Sequence, residues 1–221
     1  MTDNYRSLDR RDMLSLIPER RSTVLEVGCG EGRFAASIPG VIETWGIEPD
    51  PRAARLASTR LSHVLSTTFE QAKEVLPKKY FDVIVCNDVI EHMADHDRFL
   101  EDAKALLSAG GALVASIPNV RFYRNLFELI VARDWEYRDT GILDRTHLRF
   151  FTERSLRRTL AQHGYRIEKF HGINGGIEFK WSIWSICNFL FAYALIAVSL
   201  GRFRDIAFLQ FATCASTFDA P

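Results

Sequence analysis

The sequence predicts an α/β protein built on a doubly wound parallel sheet, and three observations carry that reading. Short apolar runs alternate with helix-patterned segments as far as residue 117. Strands linked through helices run parallel, with right-handed crossovers. The run Phe81-Asp82-Val83-Ile84-Val85-Cys86-Asn87 is nearly all apolar, as a strand covered on both faces must be. The first run ends in glycines at alternate positions, Gly28, Gly30 and Gly32, the pattern of a strand that turns tightly into a helix.

Each element follows in order. Residues 1–21 read as an amphipathic helix and lead-in, a lid or docking element. Residues 24–27 form the first strand, and 32–38 a helix ended by Pro39-Gly40. Strands at 44–47 and 63–66 alternate with helices at 51–60 and 69–76, the second stopped by Pro77. Strand 81–87 precedes helical segments at 89–93 and 97–107, which Ser108-Ala109-Gly110-Gly111 ends. Strand 112–117 closes at Pro118-Asn119. Beyond 118 the pattern changes: a helix at 120–132, an irregular segment at 134–151 rich in Arg, Asp and aromatics, a helix at 155–163 and a strand at 165–171. A long apolar stretch at 181–201 precedes a final strand at 207–217.

With 221 residues, the chain is long enough for one well-buried domain. A formal net charge of +0 gives no global field to attract nucleic acid, so no nucleic-acid partner is expected. Cys29, Cys86, Cys187 and Cys214 are scattered, with no Cys-x-x-Cys pair, which argues against a zinc ribbon or a disulfide framework. The polar, charged first residues do not read as a secretory signal, and a cytoplasmic location is expected.

The glycine turn carries chemistry. Glycine admits positive φ and lets a ligand approach without a Cβ clash. Amides at the following helix start suit an anionic group, and Glu48, ending the second strand, can accept both hydroxyls of a ribose. A dinucleotide fingerprint is G-x-G-x-x-G; here the third glycine comes one residue early and is followed by Arg33.

Val24-Leu25-Glu26-Val27-Gly28-Cys29-Gly30-Glu31-Gly32-Arg33 resembles motif I of the class I S-adenosylmethionine (SAM)-dependent methyltransferases. Gly46-Ile47-Glu48-Pro49-Asp50 resembles their acidic motif, and the segments 81–92 and 110–118 their fourth- and fifth-strand motifs. The resemblance implies a Rossmann-like sheet, mostly parallel with the last strand antiparallel beside 165–171, and a core at 22–118 that binds SAM and releases S-adenosylhomocysteine. By that analogy the Gly28 and Asn87 carbonyls bind the SAM amino group, Glu48 the ribose, and Thr68 and Phe69 flank the adenine. Glu26, Cys29, Gly30, Gly32, Pro49, Asp88 and Val89 complete the set. A narrower likeness lies in Leu143-Asp144-Arg145-Thr146-His147-Leu148-Arg149-Phe150-Phe151-Thr152. It is similar to a segment of bacterial methyltransferases linked to cell-surface polysaccharides and related to ubiquinone-type O-methyltransferases. It implies a sugar, sugar-nucleotide or lipid-linked glycan acceptor, bound by a specificity segment at 119–160.

Methyl transfer depends mostly on alignment, but an alcohol must also lose its proton, for which histidine is a suitable base. His147, in the segment that would cap the pocket, is the first candidate and His92 the second. Each has a plain structural alternative: His147 as a pin for its loop, and Asp88-x-x-Glu91 as a capping box with His92 as pocket wall. His92 and His96 share i, i+4 spacing, but a solvated acidic helix end explains the same letters, and no metal is predicted. Arg121, Tyr123, Arg124, Arg145 and Arg149 suit a phosphorylated sugar; arginine stems packed on aromatics would look the same.

Residues 181–201 carry no charge and are flanked by Lys180 and Arg202. A bilayer crossing would pull the last strand from the sheet. The expectation is therefore an apolar helical insertion packed on the domain, forming a dimer face or resting at the inner face of a membrane. Two other readings stay open: a small hydroxylated aromatic or quinone-type acceptor, and a non-catalytic SAM-binding scaffold.

Overall fold

The computed structural model describes residues 10–178 and 181–217. Its strands are β1 (Thr23–Val27), β2 (Glu43–Ile47), β3 (His63–Leu65), β4 (Phe81–Asn87), β5 (Leu107–Pro118), β6 (Tyr165–Gly175) and β7 (Phe208–Thr217). They form one sheet in the order β3-β2-β1-β4-β5-β7-β6. The first five pair in parallel, and β7 runs antiparallel to both β5 and β6. The predicted α/β sheet with an antiparallel last strand is therefore present. The chain winds outward from β1 to β3, then returns to β4 on the other side of β1. That reversal opens a crevice at the carboxyl ends of β1 and β4.

Side-chain alternation divides the core. One face of the sheet presents Leu25, Val27, Ile84, Cys86 and Leu113. They pack on Phe69 of α4 (Phe69–Ala72), on Phe99, Leu100 and Ala103 of α5 (His96–Leu106), and on Leu156 and Leu160 of α7 (Glu153–Gln162). The other face presents Val24, Val83, Val85 and Val114 to Phe34 of α2 (Arg33–Ser37). Met13 of α1 (Arg11–Leu14) and Leu16 join that face, and both are fully buried. At roughly 1.5–3 kcal/mol for each buried side chain, these two anchor the N-terminal segment to the domain.

Caps and turns account for the helix ends. Asp50 caps α3 (Pro51–Ala57) by accepting the Arg52 N–H at 2.9 Å, with Pro51 in the first turn. A reciprocal capping box joins Thr152 and Ser155 at the start of α7. The box expected at Asp88–Glu91 does not form: residues Ile90–His92 make one 3-10 turn without a side-chain cap, because the Asp88 carboxylate is taken by other donors.

Four further expectations change. Of the helix expected over 1–21, the described part holds only the four residues of α1; residues 1–9 lie outside the described residues. The stop expected at 108–111 belongs to β5, which begins at Leu107 and shifts register between its Phe81 and Val83 pairings. Gly110, with φ of 70°, provides the irregularity. The helix expected over 120–132 divides into α6 (Tyr123–Phe127) and a π turn at Glu128–Ala132 that ends on Arg133 in a left-handed conformation. Strand β6 runs on to Gly175, beyond the expected 171.

The apolar stretch forms α8 (Ile183–Val198), of 16 residues. At 1.5 Å per residue it spans about 24 Å, short of a bilayer core of about 30 Å. No helix among the described residues is long and apolar enough to cross a membrane. Ala192, Leu195 and Ile196 pack with Tyr123 and Ile206, and Trp184 and Phe191 lie edge-on to Phe127. The opposite face is bare: Ile183 is 83% exposed, Leu190 61% and Val198 86%.

Gly46 ties the sheet to the glycine turn. A Cβ there would lie 2.6 Å from Cys29 Sγ and 2.7 Å from Leu61 Cδ1. Gly46→Ala should destabilise the protein by about 1–3 kcal/mol through overpacking, read as a lower urea midpoint; an unchanged midpoint would contradict this packing.

Candidate functional site

Three positive-φ glycines shape the turn after β1: Gly28 at 69°, Gly30 at 53° and Gly32 at 75°. The Gly28 and Cys29 N–H groups donate to the Ile47 carbonyl at 2.8 and 3.0 Å, which fixes the turn against β2. Glu48, 8% exposed, accepts the Gly30 N–H on Oε2 and the Asp50 N–H on Oε1, each at 2.9 Å. Both oxygens are thereby oriented.

Beneath the turn, Glu26 accepts the Ala35 N–H at 3.0 Å. Burial dominates its electrostatics and pushes its carboxyl up to about 8, against the lowering effect of the Ala35 N–H. Asn87 ends β4, and its side-chain amide lies beside the Glu26 carboxyl, where it too favours the ionised form.

A cavity of about 440 Å³ opens at these strand ends, within the range of ligand pockets. Of the residues expected at the cofactor, Glu26, Gly28, Cys29 and Gly30 line it from the first turn. Glu48 and Pro49 line it after β2, Thr68 and Phe69 after β3, and Asn87, Asp88 and Val89 after β4. Gly32 does not reach it. Instead, it starts α2, and a Cβ there would lie 2.9 Å from Leu61 Cγ and 3.1 Å from the Ala57 Cα.

The wall also includes Arg10, Arg33 and Met93, which sequence reasoning missed. Arg33, directly after the last glycine, was open to inference by position. Arg10 gave no signal, because its contact is distant in sequence. Its Nη1 pairs with Asp88 Oδ2 at 2.5 Å, and its Nη2 donates to Ser116 Oγ at 2.9 Å.

His92 lines the cavity and His147 stands beside it, with ring centroids 4.7 Å apart in an edge-to-face arrangement. His92 Nδ1 lies 3.1 Å from the Thr146 carbonyl and His147 Nδ1 2.8 Å from the Ile142 carbonyl. Each ring therefore donates from Nδ1 and leaves Nε2 as the acceptor. Burial, then the neighbouring His147, holds the His92 imidazole below its ordinary range. The loop is pinned by the Glu91 carbonyl, which accepts the Leu148 and Arg149 N–H groups. Both expectations for this segment are thus present together: it is fastened, and His147 faces His92. His96 does not join them, because it opens α5 beyond the 3-10 turn and sits against Phe151.

None of the five residues expected to bind substrate lines the cavity. Arg121 pairs with Asp205 at 2.6 Å and lies over the Phe203 ring. Tyr123 is fully buried, and its hydroxyl accepts from Arg124 Nε and the Glu178 N–H. Arg124 also pairs with Glu178 at 2.8 Å. These three hold α6 to the C-terminal half. Arg149 donates to the Ala94 carbonyl at 2.6 Å, and Arg145 reaches Asp139 at 3.4 Å on the exposed loop.

A glycine turn at a sheet reversal, an oriented acidic residue after β2 and a polar β4 end recur in one large family. Residues 3–169 match the family model described as a methyltransferase domain. The chain belongs to that family. It is 28% identical over 166 residues to a ubiquinone biosynthesis O-methyltransferase of Nitrobacter winogradskyi, covering 68% of this chain and 59% of the relative. In fold it is similar to a SAM-dependent methyltransferase of Archaeoglobus fulgidus, with a TM-score of 0.65 at 17% identity, over 94% of this chain and 90% of the other. A third likeness is to the 1,6-didemethyltoxoflavin-N1-methyltransferase of Burkholderia thailandensis, solved with S-adenosylhomocysteine. There the TM-score is 0.60 at 15% identity, over 95% of this chain and 78% of the other. The methyltransferase fold is thus shared widely, while the methylated groups named for its members differ.

Glu26 gives a pH signature. The folded carboxyl keeps its proton to about pH 8, whereas an unperturbed one ionises near 4.5. Between those values the native state holds the extra proton, so stability falls as pH rises through that window. Glu26→Gln, which keeps an acceptor for the Ala35 N–H, should flatten this slope in denaturant midpoints measured from about pH 5 to 8. An equal slope in the variant would remove Glu26 as its source.

Proposed function

We propose that this methyltransferase moves the methyl group of SAM to a hydroxyl of a sugar, sugar nucleotide or lipid-linked glycan. The observation that carries hydroxyl transfer is the His92–His147 pair, with both Nε2 atoms free to accept, at the wall of the cofactor-sized cavity.

The residues present fit SAM. The Gly28 and Asn87 backbone carbonyls would hold its amino group, Glu48 the ribose hydroxyls, and Thr68 and Phe69 the adenine. SAM bound there supplies a sulfonium methyl, already an electrophile. What remains for the protein is to align the acceptor and take its proton. One imidazole Nε2 accepts that proton, and the Nδ1 hydrogen bond to a backbone carbonyl stabilises the resulting charge.

The acceptor assignment draws on the loop likeness in the sequence and on α8. Its bare apolar face suits a membrane interface or a second copy of the chain, and Leu129, Ile130 and Val131 are exposed as well. A cytoplasmic protein resting on the inner membrane face would meet a lipid-linked acceptor there. The aromatic acceptor remains a second reading, favoured by Trp135, Tyr137 and Phe150, which pack together on the segment that carries His147. The engagement of Arg121 and Arg124 in internal ion pairs favours it too.

S-adenosylhomocysteine at about 100 times its dissociation constant should stabilise the protein by roughly 2.7 kcal/mol. Glu48→Ala should weaken that shift, and NAD should give none. No shift with S-adenosylhomocysteine would refute the cofactor assignment. His147→Ala or His92→Ala should lower turnover by about 10²–10⁴-fold while leaving S-adenosylhomocysteine binding intact. Assay against sugar-nucleotide, lipid-linked and phenolic acceptors separates the two readings. Binding without turnover on any of them would favour the scaffold role.

A further inference from the structure

We propose that Glu91, His92 and His147 form a binding site for a divalent first-row transition metal ion, placed to coordinate the acceptor's hydroxyl oxygen. The three side chains each offer a ligand atom, and these atoms lie within 4.8 Å of one another. One carboxylate and two imidazoles make up a common donor set for catalytic zinc and for iron, cobalt or manganese. Bond lengths of about 2.0–2.2 Å require the ligand atoms to close by roughly an ångström, a movement within reach of side-chain torsions.

Two observations beyond the cluster itself point to a ligand. Glu91 is fully buried, and neither carboxylate oxygen has a hydrogen-bonding partner from another residue. A buried acid left so is costly, and a bound cation would compensate it. The imidazoles are also prepared as ligands. Each Nδ1 is committed to a backbone carbonyl, Thr146 for His92 and Ile142 for His147. That arrangement fixes the ring, leaves Nε2 as the donor atom and matches the outer hydrogen bonds that orient metal-bound histidines. The three residues come from two segments that the Glu91 carbonyl holds together through Leu148 and Arg149.

His92 belongs both to this group and to the cavity wall, so an ion here stands beside the space for the reacting methyl. The ion's role, though not its binding, rests on the hydroxyl-transfer reading. A hydroxyl that coordinates the ion ionises more readily and gives its proton to water. The oxygen then forms its bond to the methyl carbon as the sulfur–methyl bond breaks, and sulfur keeps that electron pair. With the ion bound, the imidazoles serve as ligands rather than as the base.

The test is Co²⁺ binding to the purified chain after chelator treatment, followed by visible absorption and by displacement with Zn²⁺. One Co²⁺ per chain is expected. Glu91→Gln and His147→Ala should each weaken binding by tenfold or more. S-adenosylhomocysteine binding, measured on the same samples, shows that each variant is folded. Failure of the wild type to bind Co²⁺ or Zn²⁺ stoichiometrically would overturn the site, as would unchanged affinity in both variants. If S-adenosylhomocysteine still binds in that case, the methyltransferase reading stands and the imidazoles revert to bases. Metal binding without any S-adenosylhomocysteine shift would instead refute the cofactor assignment and leave the metal site intact.

Discussion

The buried carboxylate of Asp88 joins the parts of the molecule that enclose the cavity. It follows directly on β4 with φ of 55°, a conformation that a non-glycine residue adopts at a cost of about 1–3 kcal/mol. Its Oδ1 accepts from Ser116 Oγ on β5 at 2.8 Å and from Gln210 Nε2 on β7 at 2.6 Å, and its Oδ2 pairs with Arg10. One side chain thus fastens the N-terminal segment, the last parallel strand and the antiparallel strand to the tip of β4. These contacts over-determine the left-handed backbone and turn the chain sharply, which places Asn87 and Val89 on the cavity wall. Removing a partner of a buried charge typically costs about 3–5 kcal/mol, so the wall and the β5–β7 side of the sheet depend on the same interaction.

The buried polar groups around the cavity divide into two kinds. Asp88 and Glu48 are supplied with donors from the protein itself, and their positions are fixed before any ligand arrives. Glu91 is instead buried with no partner from another residue for either carboxylate oxygen, a state that native proteins seldom keep. Asn87 lines the cavity, and Glu91 lies beside the histidine pair.

The C-terminal half adds surface rather than chemistry. α8 buries one side on Tyr123 and Ile206 and leaves the other to its surroundings. The arginines that precede it in sequence are spent on holding this layer in place. Arg121, just before α6, pairs with Asp205, and Arg124 within it pairs with Glu178, so both tie this region to residues beyond β6.

The sequence by itself determined the sheet and the glycine turn, because each depends on local pattern, and the motif likeness pointed to most of the residues that line the cavity. Alternation, a strand's length and glycine's freedom at positive φ are properties of neighbouring residues. Gly28, Gly30, Glu48, Phe69 and Asn87 could therefore be placed at strand ends before any fold was seen. Tertiary structure alone decided the rest. Arg10 reaches Asp88 across 78 positions, a pairing that no local pattern carries. The same pairing cancelled the capping box at Asp88–Glu91, since it turns the carboxylate toward Arg10, Ser116 and Gln210 and away from the helix end. Glu91 and His147 look unrelated in sequence. They meet because a loop returns to the 3-10 turn after β4 and bonds to its backbone. Arg121 and Tyr123 fit a ligand site in composition, but the fold pairs Arg121 with Asp205 and buries Tyr123 away from the cavity. Proximity between distant segments decides which polar side chains are satisfied, and that choice is not encoded in any single stretch of chain.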